Sequence, residues 1–327
     1  MSKFFPFLFV ALIFLAFSCS SVTDSKSEIL DSNIVQGDLI IFHDEVMGSS
    51  VKDLARLFEK EYPHVKVVAM SGGSRKFSQE IMNRNNNCDI FISSDFRVIK
   101  NMLMPNKAKW FLEFANNELV IAYTDKSNFA DSISSDNWYR ILLSDKVHFG
   151  RCDPDYAPIG YRTVLGIKLA ERFYGQEGIK DRLLFKDKEF IKPTETMVIS
   201  MLQKQEIDFM FTYKSIAMQQ QLKYIELPEQ INLKSKSFES YYSMVSMKVS
   251  GRGPGEYIVH HGAPIRFGLC QILGSTNPKA AEAFLVFFIH KNRGIDVFRK
   301  NKIQNQDSLV YTPFDSVSVD LREQFGI

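Results

Sequence analysis

Signals of covalent chemistry are scarce in this 327-residue chain. It holds no G-x-S-x-G, H-E-x-x-H, C-x-x-C or G-x-x-x-x-G-K-[ST], which removes the usual signs of a serine hydrolase, a zinc peptidase, a dithiol redox pair and a P-loop. An enzyme is disfavoured, and the residues call for no cofactor. Charge of one sign is also missing. The formal balance is +2, and it falls to +1 without residues 1–18, whose only charge is Lys3. No basic field exists to attract nucleic acid. Four cysteines are too few for a disulfide scaffold, and internal repeats and low-complexity tracts are absent. If Cys19 is set apart, three remain, an odd number that predicts at most one bridge and favours none.

What is present begins with "MSKFFPFLFVALIFLAFSC", a lysine, an apolar run too short for a comfortable membrane span, and small residues around Cys19. This reads as an export signal over 1–18. Its Ala16-Phe17-Ser18-Cys19 end resembles a bacterial lipobox, in which cleavage precedes a lipid-bearing cysteine; a plain signal peptide is the alternative. Residues 19–36, rich in Ser and Asp, read as a tether.

The body carries 45% hydrophobic and 24% charged residues, an ordinary globular mixture whose length suits two lobes. "GDLIIFHDE", "VKVVAM" and "CDIFISS" read as strands. "SSVKDLARLFEKEYP" reads as a helix with Ser50 and Asp53 as a capping box and Pro63 beyond its end. This βαβαβ opening predicts a parallel sheet. "NELVIAYT" starts a second alternation of strands and helices, and "IRFGLCQIL" reads as a return strand. The expected division is 37–117 with 274–327 in lobe 1 and 118–273 in lobe 2.

Several features have bland readings. "SGRGPGEY" is a turn before a strand rather than a phosphate loop. The adjacent His260 and His261 point to opposite sides of extended chain, unlike a metal-binding pair. What survives is a set of strand-to-helix turns, "SGGS" ending at Ser74, "CDPDYAPIGYRT" and "KPTE", each exposing backbone N–H groups at the positive end of a helix dipole. Read singly, Ser74 and Thr194 are N-caps. Brought to one crevice at the carboxyl ends of strands, such turns bind anions.

The order "SGGSRK", "CDIFISSD", "NELVIAYTDKS", "NWYRILLSDKVHFGRCDPDYAPIGYRT", "EIDFMFTYKSIA" and "GAPIRFGLCQIL" resembles the tungstate/molybdate-binding proteins of ABC transporters, over about residues 38–310. The resemblance implies an α/β, type II periplasmic-binding fold: two lobes joined by two crossover strands, closing on a dianionic oxyanion and delivering it to a permease and its ATPase. It implies a monomer. It also implies that Ser74 donates hydroxyl and amide, that Tyr213 donates its phenol, that Ile159 in "APIGY" donates an amide, and that Glu195 coordinates the oxyanion's metal centre. Two departures stand out. Ala157 occupies the place of the family's second coordinating aspartate. "HDEVMGSS" replaces the first Gly-Ser turn, setting Val46 and Met47 in its place unless Gly48 and Ser49 slide in.

Glu195 raises an electrostatic problem. Ionised about 4 Å from a dianion, it would be repelled by roughly 8 kcal/mol at an effective dielectric near 20. A bond to a tungsten or molybdenum centre would offset this. So would a proton shared with phosphate or arsenate, or a new second ligand from Asp44 or Glu45. The bland alternative is a first-turn acid complementing a helix dipole, worth about 0.3–1 kcal/mol. The altered loop and Ala157 also leave open a sensory or interaction module on the same fold.

Overall fold

A computed structural model describes Met1 and residues 35–83, 87–290 and 293–326. Apart from Met1 and residues 35–36, the expected signal and tether, Cys19 included, lie outside them. The opening strands are β1 (Gly37–Asp44), β2 (Val65–Gly72), β3 (Ile90–Ser93) and β4 (Phe111–Asn116). β1 lies parallel to both β2 and β3. The buried stripe Val51, Leu54 and Phe58 of the Gly48–Glu61 helix covers this sheet, and Phe58 packs edge-on against Phe284 and Phe287 of the Pro278–Ile289 helix. Each such ring contributes roughly 1.5–3 kcal/mol by leaving water.

The chain then crosses at Asn117 and Glu118 into a second sheet, β5 (Leu119–Tyr123), β6 (Phe149–Cys152), β7 (Ile191–Lys192), β8 (Phe209–Tyr213) and β9 (Lys223–Glu226), ordered β7-β6-β8-β5-β9. A hairpin follows, β10 (Ser246–Ser250) and β11 (Tyr257–His261), and "SGRGPGEY" supplies its turn. The return strand β12 (Arg266–Gln271) and β13 (Gln304–Thr312) complete the first sheet, ordered β13-β4-β12-β3-β1-β2. Sheet membership therefore groups 266–271 with the first sheet, whereas the expected second lobe ran to 273. The two crossings are stitched together where Leu119 N donates to Asn232 O (2.9 Å) and Ile265 N to Leu233 O (2.8 Å).

The expected capping box does not form. The first helix starts at Gly48, directly after a single 3-10 turn that the Asp44 side chain caps, so Ser50 is already inside it and its buried hydroxyl has no partner. His260 is buried and stacks on Tyr161, ring centroids 4.4 Å apart, while His261 is exposed. Cys88, Cys152 and Cys270 are buried free thiols. Among the described residues no helix is long and apolar enough to cross a membrane.

Candidate functional site

Six strand ends converge between the sheets. β1 ends at Asp44, β2 before Ser74, β3 before Ser94, β6 before the 153–157 loop, β7 before Glu195, and β8 at Tyr213. In sheets of this kind the carboxyl ends of strands face the ligand crevice, and helix N-termini there present free amides.

The centre of this cleft is organised by Ser74, which is fully buried. Its amide and its hydroxyl both donate to Asp44 Oδ2, at 3.0 and 2.5 Å. Val46 N donates to Asp44 Oδ1 at 3.4 Å, and Ser94 N donates to Ser74 Oγ at 3.1 Å. The "HDEVM" loop thus brings one amide, that of Val46, to the cleft. The side chains of Val46 and Met47 are core residues, and Ser49 is exposed, so no hydroxyl slides into the place of the missing Gly-Ser turn.

Glu195 opens the Glu195–Gln203 helix behind Thr194, whose hydroxyl accepts from Met197 N as an N-cap. Its carboxylate is 3% exposed and accepts a 2.5 Å hydrogen bond from Thr212 Oγ1. Burial pushes it up to about 8; Asp44 and Glu45 push the same way, while the hydrogen bonds from Thr212 and the Tyr213 amide oppose them. Glu45 is also raised, by burial and then by Asp44, and it accepts from Thr196 N at 3.4 Å across the cleft. Burial therefore favours the neutral form of Glu195, which lessens the repulsion that an ionised Glu195 would exert on a dianion.

Tyr213 is buried, with its phenol 3.5 Å from Ser94 Oγ and 2.5 Å from Arg162 Nη1. Ser74, Glu195 and Tyr213 accordingly meet in one network, through Ser94 on one side and the adjacent Thr212 on the other. Ala157 is the N-cap of the Pro158–Tyr174 helix, which has no side-chain cap; Pro158 carries no N–H and Gly160 N donates to Ala157 O (3.0 Å), which leaves the Ile159 amide as the first-turn donor without an intrahelical acceptor. The loop before it reaches the Ser74 turn where Lys76 N donates to Tyr156 O at 3.2 Å.

Beside the cleft lies a cluster that sequence reasoning did not single out. Asp95, fully buried, accepts from Tyr161 OH (2.5 Å) and Arg97 Nη2 (2.7 Å), and pairs with Arg162 Nη2 at 3.2 Å; Arg162 Nη1 also donates to Ser94 O at 2.7 Å. Burial alone would raise Asp95, but Arg97 and Arg162 overcome it and hold the carboxyl well below the usual range. Asp95 follows β3 of the first sheet, whereas Tyr161 and Arg162 follow β6 of the second, so this cluster bonds one half of the cleft to the other. The letters "GYR" and "SSD" were visible, but nothing local shows that they meet 66 residues apart.

The profile of the bacterial extracellular solute-binding proteins matches residues 40–301. The chain belongs to that family. A molybdate/tungstate-binding protein of Pyrococcus abyssi, WtpA, is 31% identical over 89% of this chain and 90% of its own length. An uncharacterised solute-binding protein of Petrotoga mobilis is 37% identical over 78% of this chain and 80% of its own. Among solved structures, the periplasmic molybdate-binding protein of Azotobacter vinelandii superposes with a TM-score of 0.58 at 17% identity, covering 81% of this chain and 98% of that one. That likeness shows the fold, the two-lobed type II periplasmic-binding architecture.

Proposed function

We propose that this family member captures tungstate or molybdate between its lobes and hands it to an ABC permease and its ATPase, as a monomer tethered through lipid on Cys19. One observation carries the oxyanion reading: Ser74 N–H, Ser74 O–H and Val46 N–H already converge on a single carboxylate, the arrangement an oxyanion requires. The P. abyssi relative supports the choice of anion. The N-terminal "AFSC" supports the anchor, and the cleft needs no reacting group because binding and release involve no covalent step. An anion shifts the lobes toward closure only through contacts made in the closed state, which donors from both lobes provide.

Calorimetry with tungstate, molybdate, phosphate and sulfate tests this reading. Heat from the first two is the expected result, and silence from both ends it. The burial of Glu195, which favours its protonated form, favours one second reading, a receptor for a protonatable oxyanion such as phosphate. In that case phosphate outcompetes tungstate, and its affinity tracks the anion's titration.

Closure also predicts a specific role for Gly73. A Cβ there would land on the ring and carbonyl oxygen of Tyr156. Overpacking of this kind costs about 1–3 kcal/mol, so Gly73→Ala should weaken tungstate binding by about five- to hundredfold while each lobe stays intact by circular dichroism. Parent-like affinity would show that the turn yields.

A further inference from the structure

Asp44 is an odd structural element. It is 3% exposed, and among the described residues its carboxylate enters no ion pair. Burying a carboxylate without a cation is costly, and here it is held by neutral donors alone: Ser74 N, Ser74 Oγ and Val46 N. Those are the donors assigned above to the bound oxyanion, and the hydroxyl of Ser74, which accepts from Ser94 N, has its single proton committed to Asp44 Oδ2. One donor set cannot serve two anions. The side chain also closes a short ring, since Val46 N is only two residues away, so Asp44 reaches the site from the loop that replaces the family-like Gly-Ser turn.

Resting on the oxyanion reading of this cleft, we propose that Asp44 is a built-in competitor. Its carboxylate holds the oxyanion position and must swing off Ser74 before a tetrahedral oxyanion binds, so residue 44 sets the affinity of the receptor. A new coordinating ligand is the opposite role, and the geometry disfavours it: Oδ2 already accepts two hydrogen bonds from Ser74, and Oδ1 accepts one from Val46. Displacement also leaves the Asp44 carboxylate beside the incoming dianion, so competition and repulsion act in the same direction.

The test compares tungstate binding to the full chain with Asp44→Asn and Asp44→Ser by calorimetry, alongside a crystal structure of the parent with tungstate. The neutral variants should bind at least tenfold more tightly, about 1.4 kcal/mol, and the parent complex should show the Asp44 side chain rotated off Ser74. Equal or weaker binding in the variants, with the parent still binding, overturns the competitor role and leaves the receptor reading standing. A complex with Asp44 still on Ser74 does the same. Absence of heat from parent and variants with all four anions removes the receptor reading and this proposal with it. Should Asp44→Asn fail to fold, Asp44→Ser, whose hydroxyl keeps the cap on Val46 N, decides the affinity arm. If neither variant folds, the parent complex decides alone.

Discussion

Asp95→Ala is expected to lower unfolding stability by about 3–5 kcal/mol and to cost the receptor its tight closure. The reason is the pair it leaves behind. Arg162 is fully buried, and removing the one carboxylate it pairs with among the described residues strands a guanidinium that retains Ser94 O and the Tyr213 phenol. Breaking a buried pair from one side costs this much because the remaining charge is neither solvated nor neutralised. Tyr161 loses its acceptor at the same time. Asp95→Asn separates charge from geometry: it keeps a side-chain oxygen for Arg97 N and should cost less than alanine. The sign with pH is defined. Because the folded carboxyl lies below its unfolded value near 3.9, its stabilisation is complete above about pH 4 and is lost only as pH falls through the depressed folded value. The acid limb of the stability curve should therefore flatten in Asp95→Asn. Urea titrations in which Asp95→Ala lies within about 1 kcal/mol of the parent would contradict this role.

Glu195→Gln should show the other large effect, in two readouts. The folded acid is raised from 4.5 to about 8, so its neutral form is favoured in the native state. Stability from that shift is fully present below about pH 4.5 and is lost as pH rises toward 8, a span corresponding to a few kcal/mol, roughly 4–5 at most at about 1.36 kcal/mol per unit. Glutamine keeps an acceptor for Thr212 and cannot ionise, so the variant should be the more stable protein at pH 9 and close to the parent at pH 5. Parallel stability curves across that range would show that Glu195 is ordinarily ionised. In the second readout, tungstate binding should fall at least about a hundredfold if the carboxylate coordinates the metal centre, and by a few-fold at most if it serves only the helix dipole.

Much of the scaffold was legible because its cues are local. β1, β2 and β3 announce themselves as apolar runs, and the helical period predicts a face of Val51, Leu54, Ala55 and Phe58 on the first helix, of which 51, 54 and 58 are buried and Ala55 is half-buried. The Ser50 and Asp53 spacing imitates a capping box and places the N-cap three residues late, at 50 rather than Met47, because Asp44 begins the turn further upstream. The turns and the resemblance point to Ser74, Glu195 and Tyr213, and the structure places them in one cleft. Asp44 was visible only as an acid in an unfamiliar loop. Nothing near residue 44 reveals that Ser74, 30 positions on, points two donors at it.

The chain's sequence alone determined the alternation of strand and helix, the two-lobed class and the small polar turns at strand ends, since each depends on residues within a few positions of one another. Only the tertiary structure decided which turns face each other, that Asp44 sits on the Ser74 donors, and that Asp95 meets Tyr161 and Arg162. Those outcomes follow from burial. Once closure removes water, every donor must find an acceptor from whatever the other lobe presents, and that pairing is a property of the assembled cleft rather than of any segment.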